Sequence, residues 1–107
     1  MTTFNDRERA FETKFAHDED MAFRLIARRN RLLGHWAAAR MQLTPEETDA
    51  YAKAVVQADF EEAGDEDVIR KLVGDLNAAG VDIDAAAVRL ALDEQLVEAR
   101  RQLIEAQ

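Results

Sequence analysis

The feature that most constrains this chain is the run Leu43-Thr44-Pro45-Glu46-Glu47. A threonine that can accept from the backbone, a proline with φ already set for a first helical residue, and a glutamate three positions after the threonine form a capping box with Pro at N1. A helix therefore begins at about residue 45. It carries Tyr51, Val55, Val56 and Phe60, and stops near Gly64. Asp65 then reads as the cap of a further helix with Val68, Ile69, Leu72, Val73 and Leu76 on one face, closed by Gly80. Asp82 or Asp84 opens the last helix, whose stripe is Val88, Ala91, Leu92, Leu96, Ala99 and Leu103.

Upstream of the box, Phe23, Ile26, Leu33 and Ala37 follow one another at helical steps, with Leu25, Leu32 and Trp36 extending the face, so a long helix is predicted over about 18–42. Gly34 inside it costs about 1 kcal/mol relative to Ala. Close helix packing or a slight bend would account for its presence. None of these stripes is stable alone. Short turns between them point to one all-α domain, a four-helix bundle in which Trp36, Tyr51 and Phe60 belong to the core.

The chain has 107 residues, room for one modest core. It has no cysteine, which removes disulfides and thiolate metal sites, and no apolar run of about 20 residues to span a bilayer. The N-terminus lacks the regions of a signal peptide, so a cytoplasmic location is expected. A net charge of -8 opposes general nucleic-acid binding. That charge is uneven: residues 1–43 hold eight Lys/Arg against six Asp/Glu, and residues 44–107 hold six against sixteen. The first part is set to attract the second, or a partner.

Residues 4–17 differ from the rest. Asn5 followed by Glu8 is a helix start of the capping-box type. Phe4, Phe11 and Phe15 fall within about 40° of one another on a helix, surrounded by Asp6, Arg7, Glu8, Arg9, Glu12 and Lys14. Either the three Phe dock onto the bundle, or the segment is loosely ordered when free and folds as its stripe enters a groove on a partner.

Several runs carry a resemblance. Phe4-Asn5-Asp6-Arg7-Glu8-Arg9-Ala10-Phe11-Glu12-Thr13-Lys14-Phe15-Ala16-His17-Asp18-Glu19 is similar to the start of the alphaproteobacterial zeta subunit of ATP synthase. So are Arg28-Arg29-Asn30-Arg31-Leu32-Leu33-Gly34-His35-Trp36-Ala37-Ala38, Tyr51-Ala52, Asp59 to Val68, and Arg70-Lys71; after Asp82 the match is one of character more than of letters. The resemblance implies a four-helix bundle over residues 19–107 and a mobile inhibitory segment over 1–18 that can form a helix. It implies a non-enzymatic inhibitor whose segment enters the interface between alpha and beta subunits of the F1 head and approaches the gamma shaft. There it blocks rotation in the ATP-hydrolysis direction. Phe4, Phe11 and Phe15 would be the anchors. Asn5 would open the helix, and Arg7, Glu8, Arg9, Glu12 and Lys14 would pair with charges of the cleft and set register. The protein would be peripheral to the inner membrane through ATP synthase, without inserting into it. No long heptad tail follows, so a monomer is expected when free.

Arg24, Arg28 and Arg31 share one helix face. They would pair with the acidic helices downstream, or hold phosphates. The second functional reading is therefore an adenine-nucleotide-binding helical sensor or accessory subunit, which no Gly-rich phosphate loop supports. His17 and His35 are too far apart in sequence for a short zinc motif. His17, beside Asp18 and Glu19, is a candidate for pH tuning. Glu61 to Asp67 is acidic but lacks the alternation of a calcium loop. No metal site, cofactor or catalytic constellation is predicted.

Overall fold

The structure is a computed structural model that describes residues 18–61 and 64–106. Four helices and no strand make up the described residues: α1 (Asp18–Arg40), α2 (Pro45–Glu61), α3 (Asp65–Ala78) and α4 (Ala85–Glu105). The expected all-α four-helix bundle is what forms. None of these helices is long and apolar enough to cross a membrane.

The punctuation works largely as written. Thr44 N–H donates to Glu47 Oε1 at 2.9 Å and Glu47 N–H to Thr44 Oγ1 at 3.1 Å, so the capping box is closed on both sides. The Thr44 backbone N–H, and after it the Thr44 hydroxyl, hold the Glu47 carboxyl below its ordinary range. Of the two candidates for the last cap, Asp84 is used: its Oδ1 accepts from Ala87 N–H at 2.9 Å. Gly80, with φ 87, ends α3 in a Schellman turn, in which Val81 N–H reaches Leu76 C=O and Gly80 N–H reaches Asn77 C=O. The turn after α1 has the same bonding pattern, Leu43 N–H to Ala38 C=O and Gln42 N–H to Ala39 C=O. Here the left-handed residue is Gln42, φ 58, not a glycine.

One expected cap is not made. Gly64, not Asp65, stands at the cap position of α3, and no side chain caps that end. Asp65 is the first helical residue, and its carboxylate is engaged by Arg29 instead.

The core joins Leu33 and Ala37 of α1, Val55 of α2, Val68, Ile69, Leu72 and Leu76 of α3, and Val88, Ala91 and Leu92 of α4. α1 packs most extensively against α2 and α4, and α3 closes the bundle against α4 and α2. Trp36 and Tyr51 line the edge of this core, half-buried, while the Phe60 side chain lies outside the described residues. Gly34 answers to close packing: a Cβ there would sit 2.7 Å from Ala52 Cα on α2. Tyr51 Oη donates to Asp75 Oδ2 at 2.7 Å and Lys71 Nζ donates to the same oxygen at 3.0 Å, tying α2 to α3. Burial, then the adjacent Asp75, push the Tyr51 phenol well above its usual value.

Candidate functional site

The residues proposed to engage a partner, Phe4, Asn5, Arg7, Glu8, Arg9, Phe11, Glu12, Lys14 and Phe15, lie outside the described residues, as does His17. The structure instead describes the bundle, in which α1 has two unusual features.

The first is the surface. Phe23 was expected on the core face, yet it is 52% exposed. Residues 22–24 are exposed near the start of α1, and residues 25–27 are half-buried. They line two adjoining grooves that share Phe23, Ala27 and Val56. One, of about 450 Å³, is walled by Ala22, Ile26, Asn30 and Asp59 and is mostly apolar. The other, of about 980 Å³, runs along α1 between α2 and α4 and is walled by Arg24, Arg28, Arg31, His35, Lys53 and Gln102. The arginine face expected from the sequence is thus assembled on one groove, with Lys53 added from α2 and no carboxylate among the described lining residues.

The expected pairing of these arginines with the acidic helices is not what occurs. Among the described residues Arg28 bonds only the neutral Gln102 Oε1, at 3.1 Å, and neither Arg24 nor Arg31 has an acidic partner. The acids of α3 are engaged elsewhere: Asp67 pairs with Arg70 at 3.0 Å, and Glu66 with Arg89 of α4.

The second feature is an arginine that sequence reasoning missed. Arg29 is 2% exposed, and its guanidinium bonds Asn30 Oδ1 at 3.1 and 2.9 Å and Asp65 Oδ1 at 3.0 Å. Asn30 is equally buried, and its Nδ2 has no partner among the described residues. A signal for this pair existed. Arg29 and Asn30 fill the i+3 and i+4 positions of the seven-residue step from Ile26 to Leu33, so helix geometry had to turn them inward. Arg29 fixes the start of α3 to the middle of α1, a positioning role.

A family model described as ATPase inhibitor subunit zeta matches residues 1–102. The chain belongs to that family. A chain solved by solution NMR is 42% identical to it, with TM-score 0.71, covering 81% of this chain and 99% of its own length. The comparison with curated proteins gives no match. Membership in the zeta family gives the chain an inhibitory, regulatory role towards an ATPase and agrees with the helical bundle. It also places Arg29, Asn30 and Gly34 inside the matched region.

Proposed function

We propose that this zeta-family chain inhibits ATP hydrolysis by the F1 head of ATP synthase through residues 1–18. The segment forms a helix at an alpha/beta catalytic interface, close to gamma, and stops rotation in the hydrolysis direction. The observation that carries this reading is that the family match begins at residue 1 and so includes the whole Phe4, Phe11, Phe15 stripe with its charged flanks. In this mechanism the aromatic anchors supply affinity, the charges Arg7, Glu8, Arg9, Glu12 and Lys14 set register, and Asn5 caps the helix. The bundle 19–107 is a mount and a bulky stop outside the cleft. Ordering the segment costs about 2–5 kcal/mol of the gross interaction energy.

Steady-state ATP hydrolysis by the cognate head tests this. The full chain should inhibit, residues 19–107 should not, and Phe11→Ala should raise the inhibitory concentration at least tenfold. Inhibition by 19–107 alone would overturn the assignment.

The basic groove favours one accessory reading, adenine-nucleotide binding. Arg24, Arg28, Arg31 and His35, with Lys53 paired to Asp49, line a cleft with no carboxylate among its described residues, on a protein of net charge -8. Calorimetry with ADP and ATP should give a signal that Arg24→Ala, Arg28→Ala and Arg31→Ala together abolish. An unchanged signal in that triple variant would exclude this groove.

A further inference from the structure

The outer face of α4 carries a pattern that the described core does not use. Leu90, Val97 and Ile104 are 62%, 65% and 64% exposed. They recur every seven residues along a 21-residue helix, within about 40° of one another, opposite the buried Val88, Ala91, Leu92 and Ala99. Three apolar residues at a seven-residue step lie along one line of the helix, with charged residues at the three- and four-residue steps between them where a coiled coil would place its second apolar position. At about 1.5 Å per residue the stripe is roughly 21 Å long, most of the helix.

The charges beside the stripe specify what would cover it. Asp93 and Arg100 flank one side, and Glu94 and Arg101 the other, so on each flank an acid precedes a base by seven residues. In an antiparallel pair related by a twofold axis through Val97, like flanks face each other with order reversed. Leu90 then meets Ile104 of the second copy, Val97 meets itself, Asp93 meets Arg100 and Glu94 meets Arg101. A parallel pair would set acid against acid and base against base. Asp93, Glu94 and Arg100 make no ion pair among the described residues, while Arg101 bonds Glu98 and Glu105 on its own helix and can share its fork.

We infer that the exposed face of α4 is a self-association surface, and that its occupant is α4 of a second copy of this chain, antiparallel and centred on Val97. Three large apolar side chains per copy bury less than the roughly 1,200 Å² of a stable interface. The dimer is therefore weak and forms only when the chain is concentrated. The chain is monomeric at the micromolar concentrations of an inhibition assay and dimeric when concentrated.

Sedimentation equilibrium of the full chain from micromolar to millimolar concentration reads this directly. The mass should rise from the 12.1 kDa monomer towards its double. Val97→Glu, which sets two carboxylates against each other on the axis, should hold the monomer mass throughout with unchanged far-UV circular dichroism. Arg100→Glu with Arg101→Glu should also weaken the dimer, and adding Asp93→Arg and Glu94→Arg should restore it. The chain has no cysteine, so single thiols report orientation. An equimolar mixture of Leu90→Cys and Ile104→Cys should oxidise chiefly to the mixed disulfide. A monomer mass at millimolar concentration, a dimer indifferent to Val97→Glu, or preferential homodimeric cross-linking of Leu90→Cys would each overturn the inference.

Discussion

Gly34→Ala tests how α1 and α2 are held together. On an isolated helix the change stabilises by about 1 kcal/mol, since Ala gains helix propensity over Gly. Here the added Cβ would lie 2.7 Å from Ala52 Cα and 3.2 Å from Ala52 Cβ, where ordinary contact begins at 3.4 Å. The nearest obstacle is backbone, so no rotamer change relieves it, and the two helices must part by roughly 0.7 Å along an interface packed close to crystal density. Overpacking of this kind costs about 1–3 kcal/mol, and a backbone obstacle places it in the upper half. The net expectation is a loss of about 1–2 kcal/mol, or roughly 5–15 °C in Tm for a domain of this size. Gly74→Ala is the control. Gly74 lies inside α3, exposed, with nothing within 4 Å of a Cβ, so it should show the bare propensity gain of about 1 kcal/mol. Urea unfolding followed by circular dichroism measures both. Ala52→Gly should not rescue Gly34→Ala, because Ala52 Cα stays where it is. If Gly34→Ala and Gly74→Ala stabilise alike, the α1–α2 approach has slack and the reasoning fails.

Four other expectations follow from single contacts. Gln42→Gly should stabilise by about 0.5–1 kcal/mol in the same urea assay, since a left-handed residue after α1 favours glycine. Thr44→Ala should cost about 1 kcal/mol and should raise the Glu47 pKa, seen by NMR titration, because the hydroxyl and the backbone N–H of Thr44 hold that carboxylate. Tyr51→Phe should cost about 1 kcal/mol at neutral pH. The folded phenol titrates above its unfolded value, so the Tyr51 contribution is complete below about pH 10 and lost above it as the unfolded chain ionises first. The variant should therefore show a flatter alkaline stability profile. Asp65→Ala should cost about 2 kcal/mol by leaving a buried guanidinium with one neutral acceptor, less than for a fully buried pair because Asp65 is 48% exposed. Arg29→Met with Asp65→Ala should recover part of it.

Local chemistry in the sequence was enough to place the helices. Thr44-Pro45-x-Glu47, Gly80 and an aspartate ahead of Ala85 act through bonds to residues three or four positions away, so they can be read without knowing the fold. The same is true of the α3 stripe, whose Val68, Ile69, Leu72 and Leu76 are all buried. The Asp65 cap misread shows the limit. An acid beside a glycine satisfies the local rule, but Arg29, thirty-six residues away, competes for the carboxylate.

By itself the sequence determined that this is an all-α chain with its breaks where they are, and it carried the resemblance that the family match shows, because periodicity, capping and motif identity are properties of neighbouring residues. Tertiary structure alone decided which arginine is buried, that Gly34 is a contact point and not a bend, that Arg24, Arg28 and Arg31 line one groove and form no ion pair among the described residues, and that Leu90, Val97 and Ile104 are left outside. Those outcomes depend on how far each helix extends past its neighbour and how closely two backbones approach. Such distances are set by packing the four helices together, and no one helix contains them.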